Sequence, residues 1–414
     1  MAAIKLKRFA AKIMLVAGGL LFGCLVAEIA RRIAGYSYPI FYQTDQYAGY
    51  APIPGVEGWF WVENKTYVRI NNHGFRDRDH EIEKPANTLR IAVLGDSFAE
   101  ARQVDMGSAF WAVMERELSG CSSFAGKDVE VLNFGVGGYG TASELMTLRH
   151  RVWQYSPDVV LLAFTTYNDI ADNYPPFKGA EEIPYFKFEG DQIVLDDSFK
   201  GSKKYRKLSS WWFNAWIALH NSSRFIQLAH HGQFAFRTRM SHMKELKRIE
   251  ESKKQREDQS ESKVPLTSSS ATEHFGLENA LYVPPDNVDW NEAWRLTEGM
   301  VALLKNEVEQ QGAKFLMVSV STDIQAYPDK SVRKARADSL GVPDLRFPNR
   351  QLGLISERNG IDFFDLAKPM QIYAAETGTF LHGFNDQMGS GHWNEIGHKL
   401  AGELIAKRFC SAAQ

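Results

Sequence analysis

Residues Ile91–Glu100 read IAVLGDSFAE, and this stretch constrains the rest of the chain. Ile91, Ala92, Val93 and Leu94 form an unbroken apolar run, the pattern of a strand buried on both faces of a parallel sheet. Gly95 allows a sharp turn where the strand ends, and a helical pattern runs from Phe110 to Leu118. Ser97 therefore falls at the carboxyl edge of a sheet, where open α/β sheets bind ligands. A serine at that place also caps helices. Its role depends on what else reaches the same edge.

Strand–helix alternation continues from Arg90. Further strands are expected at Val129–Phe134, Val159–Phe164, Phe315–Val320 and Ile361–Phe364, with helical patterns between them. Trp290, Trp294, Val301, Leu304 and Val308 share one helical face, with Asp289 as a cap and Gly312 as a stop. Leu400, Leu404 and Ile405 mark the last helix. Such alternation predicts a parallel sheet covered by helices on both faces. A break falls between about Tyr174 and Asp286. Within it, Tyr185–Leu195 reads as a hairpin turning at Glu189-Gly190-Asp191, and Trp211–Arg239 as an aromatic helical stretch. Lys244–Lys263 is a mixed-charge run and Val264–Thr272 a Ser/Thr-rich one. An insert of this size either covers a site, rests on a membrane or carries its own small core.

The 414 residues suffice for one large core with insertions. A net charge of −2 gives no basic field for nucleic acid. The N-terminus differs from the rest. Lys5, Lys7, Arg8 and Lys12 precede the apolar run Ile13–Ala27, and Phe9–Ala30 reaches roughly the 20 residues that cross a bilayer. The basic cluster orients the N-terminus to the cytoplasm and the remainder outside, although Arg31 and Arg32 oppose that asymmetry. A cleaved signal peptide is the other reading, but no Ala-x-Ala site follows. Tyr36–Arg90 is rich in Tyr, Trp, Pro and Gly and reads as an irregular β-rich segment. Its Asn72–Asp77 piece reads as a surface turn with an Arg–Asp pair. The expected organisation is an anchor over residues 1–35, the β-rich segment over 36–89, an α/β domain in two halves over 90–174 and 286–414, and the insert over 175–285.

Chemistry-bearing residues gather at strand ends in four places. These are Gly95-Asp96-Ser97, the glycine-rich Asn133–Thr141, Thr166-Tyr167-Asn168-Asp169, and Gly391–His398 before the last helix. In these four blocks and their order the chain resembles the SGNH or GDSL hydrolases, esterases and acyl-transfer enzymes on a flavodoxin-like sheet. The resemblance covers Arg90–Asp169 and Phe315–Phe409. It implies a three-layer α/β domain with a five-stranded parallel sheet in the order 2-1-3-4-5. It implies Ser97 as nucleophile and His392 as base. Oxyanion donors would be the backbone N–H groups of Ser97 and Gly138 and the side-chain amide of Asn168. A serine needs such a base to lose its proton, and the oxyanion needs donors already aimed at it. A glycine at 138 would let substrate approach the backbone. The implied substrate is an acyl ester, with O-acylated polysaccharide as one class. No cofactor or metal is implied.

The chain departs from the family at two points. Thr166 replaces a glycine, which is expected to crowd the pocket. The acid usual two or three residues before the histidine is missing, because Gly389 and Ser390 stand there. Asp386 is the first candidate to hold His392, Asp365 the second, and a Ser–His dyad the third. Asp96 is expected to hold its turn, Asn394 to cap the last helix, and His398 to be structural. Cys121 and Cys410 follow the first and last helices, which pack side by side in this topology, so a disulfide is expected in an oxidising compartment.

Two rival readings remain. Gly135–Gly140 matches the dinucleotide pattern G-x-G-x-x-G, but Asp158 precedes its strand and so lies at the wrong sheet edge for a ribose contact. The irregular acid position also allows a membrane-tethered binding module that has lost catalysis.

Overall fold

The computed structural model describes residues 2–233, 240 and 276–412. The charged and Ser/Thr-rich runs at 244–272 lie outside the described residues. Two compact units form. One holds Met1–Ile40, Glu57–Trp59 and the described part of Trp211–Thr267; the other holds Phe41–Val56, Phe60–Ser210 and the described part of Ser268–Gln414.

The larger unit is built on a five-stranded parallel sheet. Its strands are β1 (Thr88–Gly95), β2 (Asp128–Asn133), β3 (Val159–Thr165), β4 (Lys314–Val320) and β5 (Asp362–Asp365). The spatial order is β2-β1-β3-β4-β5, the order expected from the sequence. β1 lies between β2 and β3, with Val93 opposite Asn133 and Gly95 opposite Ala163. Its apolar run has no polar alternation because both faces are covered. Ala92 and Leu94 face one core with Leu132, Val160, Leu162 and Met317. Ile91 and Val93 face the other with Val131, Leu161 and Val318. Each large side chain buried in this way is worth about 1.5–3 kcal/mol.

On the first face lie α3 (Thr141–Thr147), α4 (Val288–Gln310), α5 (Lys330–Leu340) and α6 (Phe347–Asn359). On the second lie α2 (Phe110–Ser119), α7 (Ala367–Thr377) and α8 (Glu395–Ala412). The α4 cap is Asn287, whose side chain accepts from Trp290 N at 2.9 Å; Asp289 lies inside the first turn. α2 and α8 approach closely at Gly402, where a Cβ would lie 2.5 Å from Phe110 O. Cys121, just beyond α2, and Cys410, near the end of α8, form a disulfide with a Cα–Cα distance of 6.1 Å. The expected hairpin is present as Tyr185–Glu189 paired antiparallel with Gln192–Asp196.

In the smaller unit, Ala2–Ile33 is one helix, and an 18-residue window within Lys7–Ile33 has a mean hydropathy of 2.2 with none of it buried, long and apolar enough to cross a membrane. A second helix, Trp211–Ser222, follows later in the chain.

Candidate active site

β1 delivers the chain to the carboxyl edge of the sheet at Gly95. A Cβ there would lie 2.8 Å from Ala99 Cβ and 3.2 Å from Ala163 Cβ, so close packing demands the glycine. The one-turn helix α1 (Ser97–Glu100) starts at once. Asp96 caps it by accepting from Phe98 N at 2.9 Å. The same carboxylate accepts from Thr165 Oγ1 at 3.0 Å and from Asn168 Nδ2 at 2.7 Å, which ties the ends of β1 and β3 together. Burial pushes the Asp96 carboxyl above its ordinary range despite these donors.

His392 Nε2 lies 2.7 Å from Ser97 Oγ, within reach for proton transfer. His392 Nδ1 lies 2.6 Å from Glu63 Oε1, and the His392 backbone N–H donates to Glu63 Oε2 at 3.0 Å. Burial raises the Glu63 carboxyl, but the His392 hydrogen bonds and charge outweigh it and leave Glu63 below the ordinary carboxylate range. Glu63 is thus the anionic partner that the local motif lacks.

This corrects the sequence expectation for the acid. Asp386 is exposed on a turn and makes no hydrogen bond to His392. Asp365 is committed elsewhere: it accepts from Asn349 Nδ2 at 2.9 Å and Ala367 N at 2.9 Å and pairs with Arg346. Glu63 is 329 residues from His392 and sits in no strand or helix. Its one local mark is a left-handed backbone, φ +66°, unusual for a residue with a side chain.

The expected donors flank Ser97 on both sides. Asn168 follows β3, and Ser97, Asn168 and His392 line one cavity of about 470 Å³ with Tyr167, Asp323 and Arg336. Gly138 follows β2 and lies outside that lining. Its φ is +82°, and a Cβ there would lie 2.7 Å from Tyr50 Oη. The glycine is therefore required by backbone conformation and by the nearness of Tyr50. Tyr50 Oη donates to Gly137 O at 2.9 Å, the carbonyl of the peptide whose N–H is that of Gly138. Glu100 Oε2 accepts from Gly137 N at 2.7 Å and from Tyr42 Oη at 2.7 Å. This loop is thus held from both sides. Thr166 is fully buried and does not line the cavity, so it does not crowd the pocket as its bulk predicted.

The Asn72–Asp77 piece is not a plain surface turn. Arg76 is 1% exposed and donates to Glu100 O at 2.9 Å, to Ala101 O at 2.6 Å and to Val104 O. Burial lowers its guanidinium to about 10, so it stays charged at neutral pH. It neutralises the carbonyls at the end of α1, where Ala101 is left-handed at φ +56°. Asp77 accepts from Asn133 N at 2.8 Å. His398 is buried and accepts from Phe110 N at 3.3 Å, and burial lowers it to about 3. Asn394 caps α8 by accepting from Ile396 N and Gly397 N, both at 3.0 Å.

A parallel α/β unit with a hydroxyl, an imidazole and a carboxylate hydrogen-bonded in series at its carboxyl edge has the geometry of a serine-nucleophile site. Among the described residues no cluster fit to hold a metal ion is present. No family model and no curated protein matches the chain in sequence. Among solved structures it is similar to the acetyl xylan esterase AlAXEase, at 13% identity over 78% of this chain and 99% of that one, TM-score 0.36. It is similar to a lipase/acylhydrolase from Enterococcus faecalis, at 13% identity over 78% and 96%, TM-score 0.37. It is also similar to the acetylxylan esterase Axe2 from Geobacillus stearothermophilus, at 11% identity over 78% and 94%, TM-score 0.36. Likeness this distant decides neither fold nor chemistry, which rest on the topology and contacts above.

Proposed function

We propose that this chain is a serine esterase or acyl-transfer enzyme of the SGNH type, with Ser97 as nucleophile, His392 as base and Glu63 as the acid. The observation that carries the reading is the hydrogen-bonded series Glu63–His392–Ser97 beside a cavity of mixed polar and apolar lining. His392 Nε2 takes the Ser97 proton as Oγ attacks the ester carbonyl. The oxyanion draws on Ser97 N–H, Asn168 Nδ2–H and Gly138 N–H. Collapse breaks the ester C–O bond, and the leaving alkoxide takes the proton from His392. Water or a hydroxyl then attacks acyl-Ser97, again deprotonated by His392, and Ser97 recovers its proton. Glu63 fixes the His392 tautomer and stabilises the imidazolium formed in both halves.

An O-acylated glycan suits a cavity lined by Asn168, Asn279, Ser321, Thr322 and Asp323, since hydroxyl-rich ligands need many polar partners. The apolar N-terminal helix supports a single anchor with the catalytic unit on the extracytoplasmic side. The Cys121–Cys410 pair fits an oxidising compartment. The reading as a catalytically silent binding module loses its motive, because Glu63 supplies the carboxylate whose absence raised it. The test is a product assay with an acetyl ester, with and without oligosaccharide acceptors. Free acetate or acetylated acceptor supports the proposal and separates hydrolysis from transfer. Absence of both products from folded protein overturns it.

A further inference from the structure

Helix Trp211–Ser222 turns its apolar side outward. Trp211 is 82% exposed, Trp212 48%, Trp216 38% and Leu219 53%. Trp212, Trp216 and Leu219 recur at the spacing of one helical face. Ala215 and Ala218 are exposed between them, while Ile217 and His220 point into the unit. No residue of Trp211–Ser222 carries a formal charge apart from the buried, titratable His220, whose imidazole burial lowers below its ordinary value. A helix facing water shows the reverse pattern, with polar residues outward. An uncharged surface of three tryptophans and a leucine suits the headgroup–acyl boundary of a bilayer, where indole rings find both apolar and polar surroundings.

The position of this helix in its unit names the occupant. Its C-terminal end is bonded to the far end of the N-terminal helix. Arg32 Nη2 donates to Ser222 O at 2.7 Å. Glu28 Oε2 accepts from Ser223 Oγ at 3.0 Å and from Phe225 N at 2.9 Å. Asn221 exchanges hydrogen bonds with the Ile40 backbone at 2.8 and 2.9 Å. At about 1.5 Å per residue, Phe9–Ala30 measures about 33 Å, roughly the thickness of a hydrocarbon layer of about 30 Å. Glu28–Arg32 therefore reach headgroup level when that helix spans, and they carry the end of the aromatic helix with them.

We infer that the Trp211, Trp212, Trp216 and Leu219 face is seated in the bilayer interface, as a second membrane contact beside the spanning helix. The inference rests on the proposed anchor, and the test separates the two. Full-length protein is reconstituted in phosphatidylethanolamine/phosphatidylglycerol vesicles with the environment-sensitive fluorophore NBD at one cysteine. Native Cys24 reports the anchor, and Trp216→Cys in a Cys24→Ser background reports the aromatic face; Cys121 and Cys410 are paired and stay unlabelled. The expected result at 216 is blue-shifted emission, about a twofold loss with shallow spin-labelled lipid, and shielding from aqueous iodide. Lipid quenching at 24 with iodide quenching at 216 overturns the inference and leaves the anchor standing. Shielding of 216 from both quenchers also overturns it, by showing protein, such as a second copy, on that face. Loss of lipid quenching at both positions, with protein that fails to float with the vesicles, overturns anchor and inference together. Leu219→Cys on the same face replaces Trp216→Cys if the latter fails to fold.

Discussion

Glu63 Oε1 lies 2.6 Å from His392 Nδ1, and the two residues are 329 positions apart. The carboxylate thus comes from the irregular segment ahead of β1 and not from the loop that carries the histidine. Replacing Glu63 with Gln keeps the shape but removes the charge and permits the wrong His392 tautomer. Glu63→Gln is expected to lower kcat on p-nitrophenyl acetate by roughly three to four orders of magnitude, the scale of the amide-for-carboxylate change in a serine triad. Asp386→Asn is expected to stay within about threefold of wild type. The reverse pattern in steady-state kinetics returns the acid role to Asp386.

The Tyr50 hydroxyl bonded to Gly137 O fixes the plane of the Gly137–Gly138 peptide. Gly138 at φ +82° leaves that peptide easy to flip, and the bond polarises the N–H on its other side. Tyr50→Phe keeps the ring packed on Tyr42 and Tyr139 but removes the hydroxyl. The expected outcome is about a tenfold lower kcat with KM unchanged, and boronate affinity weakened by the same factor. A change in KM alone, or no change, removes Tyr50 from the positioning of this donor.

The sheet was readable because both of its faces are buried. That requirement writes continuous apolar runs such as Val159–Phe164, and the strand order was what the resemblance carried by the four motifs implied. That Ser97, Asn168 and His392 would gather around one cavity was readable because each sits at a strand end or helix start within a few residues of a recognisable turn. Glu63 was not, because a long-range hydrogen bond leaves no periodicity in the sequence around it. Arg76 was misread for a related reason. Arg-Asp in a turn looks solvated until the fold closes over it, and only then does its guanidinium meet the carbonyls of Glu100, Ala101 and Val104. Thr166 was misread because pocket or core orientation at a strand end changes with one residue of register.

Glu144 gives a prediction of the opposite electrostatic sense. Its carboxyl is buried, and neither oxygen has a hydrogen-bond partner. Burial first, then the charges of Asp96 and Asp172, raise it well above the ordinary range, and Asp169 is raised in the same way. The folded state therefore holds a proton that the unfolded chain releases above about 4.3. The stability this group contributes is complete below that value and is lost as pH rises through the folded-state value. Glu144→Gln, which cannot ionise, is expected to unfold at higher urea than wild type at pH 8. The gap should narrow as the pH falls toward 5, and a gap independent of pH contradicts the assignment.

In the proposed reaction Ser97, driven by His392, forms the covalent bond to the acyl group. A fluorophosphonate reacts at such a serine because its adduct mimics the tetrahedral intermediate. Intact-mass analysis of the full-length protein after treatment, followed by peptide mapping, shows which serine reacts. The expected result is one adduct per chain, on Ser97, none in folded Ser97→Ala, and greatly slowed labelling in Glu63→Gln. An adduct on another serine, or equal labelling of Ser97→Ala, contradicts it.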